Sequence, residues 1–381
     1  MEEWKEYKLG DVLSIKYGKD HKHLADGNIP IYGSGGIMRY GDSSLYSGPS
    51  ILIPRKGSLN NIMYSDKPFW TVDTMFWTII NEEIANPLFV YYSICKKDFA
   101  SLNVGSAVPS LTVPVIEDVD ILLPSKQVQN KVVAILKSLD EKIEVNRRIN
   151  ENLEQQAQAL FKSWFVDFEP FKDGEFEESE LGRIPKGWRM GALGDICVTN
   201  KRSYKGDFAH EIEYIDTGSV TNNVIESTQF LNPATDKIPS RARRAVTEGD
   251  IIYSSVRPNQ RHFALLFNPA SNTVVSTGFV VITANWSGYR YYIHQYLIQD
   301  EIVDKLQAIA EQSVSTFPSL NAADITNLKI VIPPNDIVGD FAAICCSFIQ
   351  QIEKNQQESR RLAILRDTLL PRLMSGEIKI N

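Results

Sequence analysis

Two short turns carry the densest groupings of side chains able to hydrogen-bond a flat, polar partner. Arg55-Lys56-Gly57-Ser58-Leu59-Asn60-Asn61 follows the apolar run Ser50-Ile51-Leu52-Ile53-Pro54. Ser254-Ser255-Val256-Arg257-Pro258-Asn259-Gln260-Arg261-His262 follows Asp250-Ile251-Ile252-Tyr253. Arg and Lys suit phosphates and guanine edges, while Asn and Gln can bridge an adenine edge with two hydrogen bonds. The candidate contacts are therefore Arg55, Lys56, Asn60, Asn61, Arg257, Asn259, Gln260 and Arg261, with Arg39 and the Lys201-Arg202 pair as further donors. Polar hairpin tips are common, so a solvated turn fits the same residues.

No catalytic constellation accompanies them. Gly33-Ser34-Gly35-Gly36 lacks both the Gly-x-Gly-x-x-Gly spacing and the Lys-Ser/Thr of a phosphate-binding loop, and reads as a turn. His21-Lys22-His23 has no Cys or acidic companions to complete a metal set, and reads as a surface loop. A Gly-x-Ser-x-Gly nucleophile elbow is missing. Pro333-Pro334-Asn335-Asp336 lacks the order of an amino-methyltransferase loop, an acid or Asn followed by Pro, Pro and an aromatic, and no glycine-rich cofactor strand is present. The five His residues are scattered. Binding is expected rather than catalysis, with no catalytic residue, no metal and no cofactor of the chain's own.

The elements that must position these turns occur twice. Pro109-Ser110-Leu111 recurs as Pro318-Ser319-Leu320, and Ile121-Leu122-Leu123-Pro124 as Ile330-Val331-Ile332-Pro333, at an offset of 209. The same register carries Ala134-Ile135 onto Ala343-Ile344, Ile143-Glu144 onto Ile352-Glu353, and Leu160 onto Leu369. Upstream the offset slips, as loops of unequal length require. Leu9-Gly10-Asp11 matches Leu193-Gly194-Asp195, Ser50-Ile51-Leu52 matches Asp250-Ile251-Ile252, and Val72–Phe76 matches Val275–Phe279. Two copies of one unit in one chain imply two pseudo-symmetric halves. The ends of the repeat are fixed while its middle diverges, which fits scaffold at the ends and a reading surface between.

Each copy opens with short apolar runs punctuated by Gly, Pro, Asn and Ser, the grammar of strands and turns. Asn86-Pro87 then predicts a helix to about Leu102, and the second copy a longer one from about Tyr289 to Gln312. Each copy closes in a stretch whose apolar spacing alternates three and four. One seam runs through Val132, Leu139, Asn146, Leu153 and Leu160 and a second through Leu136, Ile143, Asn150, Ala157 and Trp164. Their counterparts are Phe341, Phe348, Asn355, Leu362 and Leu369, then Cys345, Ile352, Ser359, Arg366 and Leu373. That period predicts a coiled coil. Asn146 and Asn355 share the central seam position, where a buried Asn fixes register at a cost in stability. Pairing within the chain is favoured, because a whole domain connects the helices and makes antiparallel packing easy. Two chains pairing in parallel would leave one helix of each unpartnered.

The net charge of −7 argues mildly against a free-standing nucleic-acid binder. Residues 166–187 hold 7 acidic and 3 basic residues, more than half of that excess. The globular parts are therefore near neutral, and this segment reads as a solvated linker. No apolar stretch reaches ~18 residues, which excludes a membrane span. Met1-Glu2-Glu3-Trp4-Lys5 does not resemble a signal peptide. Cys95, Cys197, Cys345 and Cys346 have no metal or disulfide spacing and read as small buried residues in a reducing, cytoplasmic setting.

Several segments together resemble the specificity subunits of type I restriction–modification enzymes. These are Ile29–Ile37, the linker Phe165-Val166-Asp167-Phe168-Glu169-Pro170-Phe171, Ser179–Trp188, and Leu369–Ile378. With the repeat, the resemblance covers the whole chain, and the linker motif is its most specific part. It implies an α+β fold: two pseudo-repeated mixed α/β target-recognition domains joined by two long helices forming an antiparallel coiled coil. The expected boundaries are 1–125 and 188–334 for the recognition domains, 126–165 and 335–375 for the spacer helices, and 166–187 for the linker. The resemblance further implies a bipartite, asymmetric site on double-stranded DNA. It also implies two modification (methyltransferase) subunits as partners, and restriction motor-nuclease subunits beside them, in host defence. S-adenosylmethionine, ATP and Mg are expected on those partners and not here. A coiled-coil protein-binding scaffold without DNA specificity is the competing reading, and an enzyme with an unrecognised site a third.

Overall fold

The computed structural model describes residues 4–105, 107–206, 211–312 and 319–378. Met1, Glu2 and Glu3, and Pro318 of the second Pro-Ser-Leu copy, lie outside the described residues. The chain divides into two compact units, Met1–Val145 with Glu358–Asn381 and Asn146–Gln357. The division falls inside both long helices.

Unit 1 contains, in order, β1 (Lys5–Lys8), α1 (Leu9–Val12), β2 (Leu13–Tyr17), β3 (Asp26–Gly33), β4 (Gly36–Gly41), β5 (Ser50–Pro54) and β6 (Met63–Ser65). There follow β7 (Trp70–Thr71), β8 (Met75–Ile80), α2 (Pro87–Ile94), α3 (Val113–Glu117), β9 (Asp120–Leu123) and the start of α4 (Lys126–Phe165). One sheet has the order β2-β8-β5-β6, a second β4-β3-β7, and β1 pairs with β9. β5 is buried along its whole length, which is why it reads as a continuous apolar run and not as an alternation. Its one polar residue is satisfied, since Ser50 Oγ donates to the Thr78 carbonyl at 2.7 Å. Asn86 opens α2 by accepting from the Leu88 and Phe89 amides, with Pro87 in the first turn. The helix ends at Ile94 rather than near Leu102; a separate 3₁₀ turn follows at Phe99–Leu102. Asp98 explains the break, because its carboxylate accepts the Ser101 amide and starts a new turn.

Unit 2 opens, after the end of α4, with β10 (Phe176–Ser179) and β11 (Gly182–Pro185), which pair as a hairpin. The expected linker thus carries its own strands, and Phe168 and Phe171 pack against Trp188 with ring centroids 5.5 and 5.1 Å away. Next come β12 (Arg189–Ala192), β13 (Cys197–Thr199), β14 (Ile212–Ile215), β15 (Val220–Thr221), β16 (Val224–Ile225), β17 (Gln229–Leu231) and β18 (Ala242–Ala245). The unit continues through β19 (Ile251–Ser254), β20 (Phe263–Leu265), β21 (Thr273–Ser276), β22 (Phe279–Ala284), α5 (Tyr289–Leu297) and α6 (Asp300–Glu311). It closes with α7 (Ala322–Thr326), β23 (Lys329–Ile332) and the first part of α8 (Asn335–Met374). The single helix expected from Tyr289 to Gln312 is two. Gln299 is extended, and Asp300 and Glu301 behind it favour a fresh helix N-terminus.

The sheet orders display the repeat that the sequence shows only in fragments. β13-β22-β19-β20 repeats β2-β8-β5-β6, and β12 with β23 repeats β1 with β9. The parallel pair β14 and β21 repeats β3 and β7. Each unit buries its own core: Phe76, Phe89, Phe99 and Leu136 in unit 1, Tyr253, Tyr292, Phe161 and Phe341 in unit 2.

The long helices pair antiparallel within each unit. In unit 1 Lys142 Nζ lies 3.1 Å from Glu358 Oε2, and Arg366 Nη1 donates to Asp140 Oδ1 at 2.8 Å. In unit 2 Asn146 Nδ2 donates to the Asn355 carbonyl at 3.4 Å, and Asn355 Nδ2 donates to Asn150 Oδ1 at 2.8 Å. Along both helices Leu139, Ile143, Leu153, Leu160, Phe348, Leu362 and Leu369 are half-buried, while Ile352, Asn146 and Asn355 are buried.

Candidate nucleic-acid interface

β5 and β19 occupy the same place in twin sheets, and each delivers its polar turn directly. In unit 1 Arg55 is half-buried, its guanidinium 5.4 Å from the centre of the Tyr17 ring and its Nη1 3.4 Å from the Asp73 carbonyl. That stacking holds a long side chain in one orientation, which cuts the entropy lost on binding. Lys56 is exposed. Asn60 and Asn61 are employed inside the unit. Asn60 donates to Asp98 at 3.1 Å and accepts from the Ala100 amide at 2.8 Å, while Asn61 donates to the Ser34 carbonyl at 2.8 Å. These bonds tie the turn to its own unit, with Asn60 still exposed and Asn61 half-buried. Gly57 sits at φ +90°, a left-handed backbone conformation that favours glycine, and a Cβ there would meet Ser34 Oγ at 2.9 Å.

Ser34-Gly35 is the two-residue tip of the β3–β4 hairpin, not a phosphate cradle. On β4, Arg39 braces the loop before β3: Nη2 donates to the His21 and Leu24 carbonyls at 2.6 and 3.0 Å, and Nε to His21 Nδ1 at 3.3 Å. His23 packs edge-on to Trp70 at 5.5 Å, so the two histidines serve different partners.

In unit 2 Arg257, Asn259 and Gln260 are exposed on a 3₁₀ turn, and Arg257 and Arg261 adopt left-handed backbone angles at φ 50° and 57°. Two non-glycine residues in that region mark a turn held by its surroundings. Arg261 is bound to Asp300, and Gln260 Oε1 lies 3.3 Å from His262 Nε2. Arg202 is bound to Asp250, a carboxylate only 1% exposed that also accepts from Thr283 Oγ1 and the Thr247 amide. The Arg202 guanidinium is therefore committed to the fold, whereas Lys201 beside it is exposed.

The turns are thus brought to corresponding places with Arg55, Lys56, Lys201, Arg257, Asn259 and Gln260 on or near the surface. Arg39, Asn60, Asn61, Arg202 and Arg261 are tied to partners in their own units, and Arg55 and Gln260 also have contacts there. Two groups went unnoticed in the sequence reading. Tyr17 on β2 and Ile37, Met38 and Tyr40 on β4 are large apolar or aromatic residues left between 48 and 59% exposed. Arg241 and Arg243, exposed on and beside β18, lie next to the segment of Lys201, where Ser203 pairs with Arg244 and the Tyr204 amide donates to the Arg243 carbonyl. The run Arg241-Ala242-Arg243-Arg244 was the available signal.

Buried thiols offer no chemistry here: burial pushes Cys197 and Cys345 up to about 12. Among the described residues no helix is long and apolar enough to cross a membrane.

Twin mixed α/β modules, each with a strand-borne polar turn, and two long helices paired antiparallel define a recognition protein built on a repeated unit. The chain belongs to the family of the type I restriction modification DNA specificity domain, whose model matches residues 1–155 and 185–362, one match on each copy of the repeat. It is similar to the specificity subunit of the type I restriction enzyme MjaIX of Methanocaldococcus jannaschii, 29% identical over 345 residues covering 87% of this chain and 78% of that protein. It also resembles the HindI specificity subunit of Haemophilus influenzae, at 24% identity across 99% of this chain and 100% of that one. Among solved structures, the S subunit of a type I restriction-modification system from M. genitalium shares the fold, with a TM-score of 0.62 at 15% identity, covering 98% of this chain and 96% of that one.

Proposed function

We propose that this chain is the DNA sequence-recognition subunit of a type I restriction–modification complex, reading a bipartite and asymmetric site with one module on each half. The observation that carries this reading is the pair of turns after β5 and β19. They stand at the same place on twin scaffolds but present different side chains, Arg55 and Lys56 on one and Arg257, Asn259 and Gln260 on the other. Equal placement with unequal chemistry predicts two half-sites of unlike sequence. Recognition domains at 1–125 and 188–334 do the reading, and the helices at 126–165 and 335–375 set the unread gap and dock partners. Those partners are two modification subunits, which bring S-adenosylmethionine and the adenine chemistry, and motor-nuclease subunits, which bring ATP and Mg. This chain carries neither catalytic residues nor a cofactor of its own, and it acts on double-stranded DNA in the cytoplasm. Lys201, Arg241 and Arg243 supply phosphate contacts that position the second module without reading sequence.

The test is single-molecule sequencing of methylated adenines in the host, with and without the gene. One split motif with unlike halves should vanish on deletion. A continuous or palindromic motif would contradict the proposal.

A further inference from the structure

The repeat lets each position in one unit be compared with its counterpart in the other. The offset of 209 that runs through the long helices sets Asp140 against Ile349 and Arg366 against Ala157. The offset of 203 that relates Val72–Phe76 to Val275–Phe279 sets Tyr91 against His294, Tyr92 against Gln295, and Cys95 against Ile298. Burial agrees with that register: Phe89, Val90, Tyr92 and Ile94 are buried in α2, as are Tyr292, Ile293, Gln295 and Leu297 in α5.

In unit 1 these positions form a filled polar cluster. Arg366 Nη1 donates to Asp140 Oδ1 at 2.8 Å, and the Tyr92 hydroxyl donates to Asp140 Oδ2 at 2.5 Å. Asp367 Oδ1 takes a second guanidinium nitrogen of Arg366 at 2.8 Å. In unit 2 the guanidinium is replaced by the methyl group of Ala157 and the carboxylate by Ile349. A cavity of about 390 Å³ remains there, walled by Ala157, Phe263, Ile298, Phe348 and Ile349.

Its polar lining includes the carboxyls of Glu151 and Glu154 together with Asn223, Arg261, His294 and Gln295. His294 and Gln295 are 4 and 6% exposed, and His294 Nε2 and Gln295 Oε1 have no hydrogen-bond partner among the described residues. Gln295 Nε2 lies 3.4 Å from His294 Nδ1, which assigns Nδ1 as acceptor and leaves Nε2 as a donor. Of the two, Gln295 Oε1 is the acceptor that an entering N–H donor would satisfy, and an unsatisfied buried acceptor is costly. Glu154, one helical turn before Ala157, adds a carboxyl to the acceptor side. Arg261, also in the wall, is paired with Asp300.

We propose that this cavity binds a small planar cation of the guanidinium or amidinium class, standing where Arg366 places its own guanidinium in the twin unit. The N–H groups of the ligand donate to Glu154 and Gln295, and its flat body lies against the apolar walls. This inference is independent of the DNA-reading proposal.

Calorimetric titration of the full-length chain with benzamidine and agmatine tests it. Saturable binding at one site is expected, weakened at least about tenfold by Ala157→Arg, which fills the space, and by Glu154→Gln. Acetyl-arginine amide distinguishes the source: tighter binding than agmatine indicates an arginine of a partner protein, weaker binding a free small molecule. No saturable heat up to about 10 mM of any probe, equal binding of putrescine, or undiminished binding by Ala157→Arg would overturn the proposal. Should Ala157→Arg fail to fold by circular dichroism, Gln295→Ala removes an acceptor without adding bulk. Undiminished binding by that variant is equally decisive.

Discussion

Glu154 and His294 line one cavity and are shifted in opposite directions by the same cause. Burial pushes the Glu154 carboxyl up to about 7, repulsion from Glu151 adds to this, and a hydrogen bond from Asn223 opposes it. Burial alone pushes the His294 imidazole down to about 4. The folded chain keeps the Glu154 proton between pH 4.5 and about 7, where the unfolded chain has lost it. This group therefore favours folding most below pH 4.5, and its support is lost as pH rises to about 7. His294 works in the other sense: the unfolded chain takes up a proton below pH 6.5 that the folded chain refuses until about 4, so its support is lost on acidification. Glu151, Arg261 and Cys345 also line the cavity, and burial pushes the Cys345 thiol up to about 12, clear of this range. Glu154→Gln removes the first slope and leaves the second. It should raise the melting temperature at pH 8, by at most roughly 3 kcal/mol in stability, and leave it unchanged at pH 4.5. Thermal unfolding of both forms at the two pH values checks this, and equal stability at pH 8 would refute it.

At the scale of the element, the long helices were written plainly into the sequence and the shorter ones were not. A heptad period is local and repeats many times, so the alternation through Leu139, Asn146, Leu153 and Leu160 and its copy could be read without tertiary context. At its centre in unit 2, Asn355 donates to Asn150 Oδ1 and accepts from Gln351 Nε2, both at 2.8 Å. Asn355→Ala leaves the half-buried Asn150 Oδ1 without its donor, while the exposed Gln351 amide turns to solvent, and should lower unit 2 stability by about 1 kcal/mol; an unchanged urea midpoint would show that the layer contributes nothing. The breaks after Ile94 and Leu297 were hidden, because Asp98 and the Asp300-Glu301 pair compete with helix continuation only through capping, a weak local signal. Strand order was equally out of reach. The parallel pairings of β3 with β7 and β14 with β21 join segments some 40 to 60 residues apart, and no short-range pattern records them. For the candidate interface, the turns were legible from composition, while the inward ties of Arg39, Asn60, Asn61 and Arg202 were not. A donor looks the same in sequence whether it meets a buried Asp250 or a solvent-facing ligand.

For the molecule as a whole, the repeat is constant in its helices and variable in its turns. Both copies keep a 40-residue helix of equal length, at an unbroken offset, while the segments carrying the turns have drifted in length and sequence. Free variation of the turns beside a fixed helix length fits the proposed spacer, whose gap stays the same while the read bases change. Under the proposed function this has a numerical consequence. Four residues inserted beside Asn146, with four more beside Asn355, add about 6 Å of rise to each helix, against ~3.4 Å per base pair step. The unread gap of the methylated motif should therefore widen by one or two base pairs, with both half-sites unchanged. Such an insertion shifts the seam locally, so the two must be made together to keep the helices in register. Methylated-adenine sequencing of a strain carrying the doubly extended gene measures the gap directly. A half-site altered in sequence with its gap intact would mean that the helices do not measure distance, and the spacer role would have to be abandoned.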